Sequence, residues 1–293
     1  MHVLTQKLLL AVLAAALLAV PGARAQYRDR YDRYDRGDRY ENRYDRWHSD
    51  DDNGNQRNVA GQFDYYALVL SWSPTHCAEK QDDDQQCNRR DGRRFNFVLH
   101  GLWPQYERGY PEDCRTPRRP FVPQELIDNM LDIMPSSGLV IHEYRKHGTC
   151  SGLNADAYFG LARRLFRTIR IPEAYRNPYE PLFVEPGRLA ADMLRANPQL
   201  KEENIAIACG GPGNRLKEIH FCFSKSGEPR ACGSNEDQRR MCSANRMFLP
   251  PVRSTARDDT MSSPPPASQR SEQPINRSNP LPGPRTDTLR RGY

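Results

Sequence analysis

The 293-residue chain lacks a hydrophobic run long enough to cross a bilayer. Its longest apolar stretch, residues 8–20, has thirteen residues, whereas a transmembrane helix needs about 20. The sequence therefore excludes a multi-span membrane protein. Lys7 precedes the stretch and the small-residue pattern Ala-Arg-Ala follows it at residues 23–25, which is typical of a secretory leader that is removed after Ala25. We expect a secreted or periplasmic protein whose mature chain, beginning at Gln26, leaves the membrane.

The chain also lacks any pair of cysteines in a C-x-x-C spacing, which disfavours a structural zinc site. It has eight cysteines, and all of them lie within residues 59–250. Since an exported protein enters an oxidising compartment, an even number of cysteines indicates a disulfide framework.

Both ends of the mature chain have few aliphatic residues. Residues 26–58 repeat a Tyr-Asp-Arg theme with nearly balanced charge, which predicts a disordered, solvated linker rather than an RNA-binding arm. Residues 251–293 are rich in Pro, Ser and Arg and show no apolar periodicity, which predicts a disordered tail. The segment between them, residues 59–250, has the length of one domain.

Within that segment, hydrophobic patterning predicts an α+β fold with an antiparallel sheet packed by helices. Apolar and aromatic runs predict strands at residues 65–72, 95–103, 204–209 and 217–224. Helical spacing of apolar residues predicts helices at 122–134, 139–147, 155–168 and 188–196.

Histidine is scarce, with seven in the chain, yet three histidines lie in two short segments around His100 and residues 142–147. On a helix that turns about 100° per residue, His142, Glu143, Lys146 and His147 fall within an arc of about 140°. Four titratable side chains thus share one helix face. Gly148 is suited to end this helix in the left-handed conformation.

Two other interpretations of this face have to be weighed. A solvated face of mixed charge has a similar composition, although two histidines on one arc disfavour it. A zinc protease has the pattern H-E-x-x-H, with histidines four residues apart. Here His142 and His147 are five apart, about 140° around the helix, so they converge poorly on one metal ion.

The two segments together resemble the active-site motifs of the ribonuclease T2 family, which are acid secretory endoribonucleases. The first reads Leu-His-Gly-Leu-Trp-Pro at residues 99–104 and the second His-Glu-Tyr-Arg-Lys-His-Gly-Thr-Cys at residues 142–150. The resemblance spans about residues 62–245 and includes Ser-Trp-Ser-Pro at residues 71–74. One departure is Tyr144, where many members carry Trp; we expect it to pack on the far face of the helix.

This resemblance implies that the protein cuts RNA through a 2′,3′-cyclic phosphate, followed by slower hydrolysis to a 3′-phosphate, without a metal or cofactor. His147 would accept the proton of the 2′-hydroxyl and His100 would protonate the leaving 5′-oxygen. His142 would hold the phosphate and Lys146 would offset charge on phosphorus, while Glu143 would orient its neighbours or assist proton movement.

Trp103, His76 and His220 lie outside this acid–base scheme. Trp103 is expected to stack on a substrate base, although packing at the end of a strand would also explain it. His76 and His220 receive no role, because a hydrogen-bonded structural histidine is the default for both.

The resemblance and the order of the cysteines along the chain also imply a disulfide pairing. The expected pairs are Cys77 with Cys87, Cys114 with Cys150, Cys209 with Cys242 and Cys222 with Cys232. The second pair would tie the loop after the His100 strand to the end of the His147 helix.

The leading hypothesis is therefore a monomeric, exported endoribonuclease with RNA as its substrate. Two alternatives stay open: a related protein that binds RNA without cutting it, and a metal-dependent hydrolase. Cleavage of RNA in the presence of EDTA separates all three.

Overall fold

The computed structural model describes residues 58–80 and 83–255. The predicted leader, nearly all of the predicted linker and the tail from residue 256 onwards lie outside the described residues, so the domain boundaries at residues 59 and 250 stay a prediction. The chain beyond Pro250 still packs on the domain. Val252 is buried, and its N–H donates a hydrogen bond to the carbonyl oxygen of Pro178 over 2.8 Å.

Six strands of the described residues form one sheet. Five of them follow the order β2-β1-β5-β6-β3, and β4, which lies off this path, also pairs with β5. The strands are β1 (Tyr65–Trp72), β2 (Phe97–Gln105), β3 (Leu182–Val184), β4 (Ile205–Gly210), β5 (Arg215–Phe223) and β6 (Met247–Leu249). Every pairing is antiparallel except the short contact between β5 and β6.

The α-helices of the described residues are α1 (Ser73–Glu79), α2 (Gln124–Met130), α3 (Ser137–Lys146), α4 (Ala155–Thr168), α5 (Pro186–Ala196) and α6 (Gln238–Met241). Helices α3 and α4 begin at polar caps: the side chains of Ser136 and Asn154 accept hydrogen bonds from backbone N–H groups of the first turn. No helix in this part of the chain has the length and apolarity that crossing a membrane requires.

Strand β1 lies between β2 and β5, so both of its edges are paired, and side chains packed on each side of the sheet bury both of its faces. Its alternate residues Tyr66, Leu68 and Leu70 join the main hydrophobic core with the helices. On the opposite face, Ala67 and Val69 pack with Trp103 of β2 in a separate small cluster. This second face carries the residues of the candidate active site.

The α+β prediction is confirmed, and the differences lie at element ends and in short elements. The bounds of β1 and α4 agree with the prediction, whereas β2 begins two residues later than expected. Helix α2 is shorter than the predicted 122–134. The three-residue strands β3 and β6 and helix α1 have too few residues to show a hydrophobic period, and the sequence did not predict them.

Four disulfides staple the fold, and they join the pairs that the resemblance implies: Cys77–Cys87, Cys114–Cys150, Cys209–Cys242 and Cys222–Cys232. The Cys114–Cys150 bond connects the loop after β2 to the turn after α3. In the same place, the Asp113 N–H donates to the Lys146 carbonyl oxygen over 2.8 Å. The end of α3 is thus held to this loop by a covalent bond and a hydrogen bond.

Gly148 does not have the role that its sequence position indicates. Helix α3 continues into a 3-10 turn at Gly148–Ser151, and the left-handed residue is Gly152, with φ of 77°. Gly148 is needed for packing instead, since a Cβ atom there would lie 2.4 Å from Cδ2 of Tyr144 and 3.1 Å from Cδ1 of Tyr158. Tyr144 packs on the far face of α3, as expected from the helix geometry.

We therefore expect Gly148→Ala to lower the free energy of unfolding by about 1–3 kcal/mol, because the added methyl group overpacks the aromatic cluster. Denaturant unfolding of the full chain measures this change. Gly187→Ala in α5 is the matched control, since a Cβ there meets no atom within 4 Å and the stability should be unchanged or slightly higher. Equal stability of the two variants would contradict the packing role of Gly148.

Candidate active site

His100 lies at an irregularity in strand β2. Gly101 is paired with Val69 of β1 and Leu99 with Leu70, so His100 is an extra residue between two register pairs. Strict alternation from Leu102, which faces the main core, would also turn His100 toward the core. The bulge instead directs its ring to the opposite face, where Nδ1 lies 2.6 Å from Oε1 of Glu218.

The second group of residues comes from the last turn of α3. Glu143 and Lys146 are buried in this turn, and His147 caps the helix and is also buried. His142 lies one turn earlier than Lys146 and is partly exposed. Glu143 and His147 contact residues of strand β2 from this end of the helix.

The Glu143 carboxylate joins the two segments. Its side chain has no solvent exposure, its Oε2 accepts a 2.8 Å hydrogen bond from Nε1 of Trp103, and its Oε1 lies 3.6 Å from Nε2 of His100. Gly101 makes this approach possible, because a Cβ there would lie 1.9 Å from Glu143 Oε2. Strand β2 and helix α3 can pack at this distance only when residue 101 has no side chain.

Trp103 organises the histidines around its ring. Its ring stacks on His147 with 5.0 Å between centroids and an interplanar angle of 26°, and it meets His100 edge-on at 5.2 Å. The side chain is buried, with 8% of the residue exposed. An exposed base-stacking platform requires a free ring face, whereas this ring packs between catalytic candidates.

One cationic side chain, that of Lys146, adjoins His147 at the end of α3. The Lys146 ammonium lies 3.8 Å from the carboxylate of Glu112, and its side chain is 9% exposed. The Tyr110 ring lies 6.4 Å from the His147 ring. Together with the imidazoles, Lys146 provides positive charge that suits a phosphodiester.

Two residues of β5 that sequence patterns leave without a role, Glu218 and His220, lie beside His100. Oε2 of Glu218 lies 3.0 Å from Nε2 of His220. Burial alone would raise the pKa of Glu218, but hydrogen bonds and charges from His100 and His220 outweigh it and hold that pKa well below its ordinary value. Burial alone would lower the pKa of His220, but Glu218 and Glu236 raise it to about 9.

Two groups of potential metal-ligand atoms in the described part of the chain lie outside this site. Among the described residues, two groups bring His, Cys, Asp or Glu ligand atoms within 4.8 Å of one another: His76 with Asp83 and Cys87, and Cys222 with Cys232 and Glu236. Every cysteine in them is disulfide-bonded and therefore offers no thiolate to a metal. Neither group includes His100 or the residues of α3.

Among the residues that the sequence placed in one site, contacts join His100, Trp103, Glu143 and His147, and the structure adds Gly101, Glu218 and His220 beside them. A signal for the bulge was present, since glycine inside a strand pattern indicates a bulge or a close backbone approach. Glu218 and His220 are two residues apart and therefore share one face of β5, which is a weaker signal because the strand also contains Arg215 and Lys217.

Gly101→Ala tests the close approach of β2 and α3. The added methyl group would displace Glu143 and Trp103, so we expect turnover on RNA to fall by about 10²-fold, the cost of a displacement near 1 Å in an active site. Steady-state cleavage of an RNA oligonucleotide measures it. Gly210→Ala in β4, where a Cβ meets no atom within 4 Å, is the control. A folded Gly101→Ala protein with unchanged turnover would show that Glu143 does not need this position.

Comparisons with known proteins show the family of this chain. The family model described as "Ribonuclease T2 family" matches residues 63–232. The chain is 39% identical over 196 residues to a ribonuclease of Aeromonas hydrophila, covering 62% of this chain and 81% of the relative. It is 29% identical over 203 residues to ribonuclease I of Escherichia coli strain K12, covering 55% of this chain and 75% of the relative.

Among solved structures, the fold is similar to that of trichomaglin, described as a novel S-like ribonuclease. The TM-score is 0.50 with 21% sequence identity, and the match covers 65% of this chain and 99% of trichomaglin. The family model spans more than half of the sequence. The two candidate active-site segments, residues 99–104 and 142–150, lie within the matched residues. The chain belongs to the ribonuclease T2 family.

Proposed function

We propose that this protein is an exported, monomeric endoribonuclease that cleaves single-stranded RNA by metal-independent transesterification to a 2′,3′-cyclic phosphate, with slower hydrolysis to a 3′-phosphate. The observation that carries this proposal is the contact of two imidazoles from separate segments, His100 and His147, with one indole ring. One neutral and one protonated imidazole are the base and the acid that the reaction needs.

The nucleophile comes from the substrate. His147 accepts the proton of the 2′-hydroxyl while the 2′-oxygen forms a bond to phosphorus. The bond between phosphorus and the 5′-oxygen breaks, and His100 donates a proton to that oxygen. Hydrolysis of the cyclic phosphate reverses these roles, with water in place of the departing 5′-hydroxyl.

Charge on the five-coordinate phosphorus requires stabilisation within the site. Lys146 and His142 are proposed to provide it, since both project from the α3 face that also carries His147. Glu143 is proposed to hold the Trp103 indole through one oxygen and to orient the His100 ring with the other. In this arrangement Trp103 positions His147, and base stacking falls to other surfaces.

Export is proposed from the leader pattern of residues 1–25 and from the cysteines. All eight cysteines are in disulfides, and disulfides persist in oxidising compartments. The same leader pattern supports a protein that is free of the membrane after cleavage.

His100→Ala and His147→Ala are each expected to lower turnover by about 10²–10⁴-fold, the usual contribution of positioned acid–base catalysis. Initial rates on a short single-stranded RNA measure the loss, and near-ultraviolet circular dichroism checks the fold. His76→Ala is the matched control, because His76 contacts Asp83 outside the site. Full activity in a folded His100 or His147 variant would remove that residue from the mechanism.

The wild-type protein is expected to cut RNA equally well with and without EDTA and to release a 2′,3′-cyclic phosphate first. An oligonucleotide with a single 2′-deoxynucleotide should stay uncut at the phosphodiester that follows this nucleotide, because the nucleophile is missing there. Chromatography of the early products checks both statements. Loss of activity in EDTA would support a metal-dependent hydrolase, and binding without cleavage would support an RNA-binding protein.

A further inference from the structure

A network of acidic and basic side chains continues from His100 into the sheet. Glu218 contacts both His100, at 2.6 Å, and His220, at 3.0 Å. Nδ1 of His220 lies 3.5 Å from Oε1 of Glu236, and the hydroxyl of Tyr65 donates to Oε2 of Glu236. The His100 side chain is 21% exposed, whereas those of His220 and Glu236 are each 2% exposed.

The side chains of this network come from separate elements of the fold. Glu218 and His220 lie on one face of β5, opposite Ser71 and Val69 of β1. Glu236 lies in the 3-10 turn Ser234–Glu236. The bulge in β2 turns His100 to this same face. The network therefore links β2 to β5, which lie on opposite edges of β1.

The contact with Glu218 determines which proton His100 carries. A carboxylate accepts from an N–H, so Nδ1 of His100 is protonated and donates to Glu218. Nε2 then remains as the atom that gains and releases the catalytic proton, and it faces Glu143 at 3.6 Å. The two carboxylates that face His100 are thus Glu218 from β5 and Glu143 from α3.

His220 and Glu236 hold Glu218 in turn. The two oxygens of Glu218 are divided between His100 and His220, so the carboxylate has no freedom to rotate without losing a buried hydrogen bond. Burial and the charge of Glu236 raise the pKa of Tyr65 far above its ordinary value, which keeps its hydroxyl a donor. Each member therefore fixes the orientation of the next.

We infer that Glu218, held by His220 and Glu236, is a positioning residue that fixes the tautomer of His100 and stabilises its protonated form for donation to the leaving oxygen. This inference rests on the proposed function, in which His100 is the general acid. An ion pair that served only to stabilise the sheet would affect unfolding and leave the pH dependence of cleavage unchanged.

Glu218→Gln in the full chain tests this inference, because it removes the charge and retains the shape. The alkaline limb of the kcat/KM profile on a short RNA reports loss of the proton from the general acid. Without the carboxylate this limb should move to lower pH by about one unit or more, and kcat should fall by about tenfold or more at pH 7. KM should change little, since Glu218 does not contact the substrate.

Glu79→Gln is the matched control. Glu79 pairs with Lys217, which precedes Glu218 on β5. Like Glu218→Gln, the variant Glu79→Gln removes one carboxylate from an ion pair with this strand. Its pH profile for cleavage should match that of the wild type.

The tautomer of His100 can also be measured directly in the wild-type protein, so this test does not depend on the folding of a variant. Two-dimensional ¹H–¹⁵N spectra of the imidazoles should show neutral His100 with its proton on Nδ1. A neutral His100 with its proton on Nε2, or a folded Glu218→Gln protein with the wild-type pH profile, would overturn the inference. If His100→Ala cuts RNA at the wild-type rate, the proposed function fails instead, whichever tautomer is found.

Discussion

The buried carboxylate of Glu143 is the constraint on which the rest of the site depends. Taking an ionised carboxyl group out of water costs several kcal/mol unless hydrogen bonds or charges replace the water. In this protein the replacements come from β2, through the Trp103 N–H and the His100 ring. Strand and helix must therefore keep one spacing, which Gly101 allows and the disulfide Cys114–Cys150 maintains.

The same spacing determines how the two proposed proton-transfer groups are presented. His147 follows Glu143 by about one helical turn and stacks on the indole that Glu143 holds. His100 precedes the glycine that admits Glu143, and the bulge turns it out of the core. The disulfide Cys222–Cys232 joins β5 to the segment just before Glu236, so the network behind His100 is also anchored covalently. Closing a loop of this size stabilises the fold by about 3 kcal/mol in the chain-entropy model.

Sequence patterns predicted the parts of this arrangement that are local. The α+β class, strand β1 and helix α4 follow from long apolar periods, and the grouping of Glu143, Lys146 and His147 follows from helix geometry. The contact of His100 with Glu218 joins residues 118 positions apart, and no local pattern indicates such a contact. Gly148 was assigned to a helix cap because glycine suits both a left-handed turn and a crowded contact, and only the structure distinguishes them.

The assignment of His100 as acid and His147 as base is the central claim, and an RNA whose scissile 5′-oxygen is replaced by sulfur tests it most directly. A thiol has a pKa near 8.5, so the thiolate leaves without a proton from the enzyme. On this substrate, His100→Ala should regain nearly the wild-type rate, whereas His147→Ala should stay slow by about 10²–10⁴-fold. Equal losses for the two variants, or rescue of His147→Ala instead, would contradict the account.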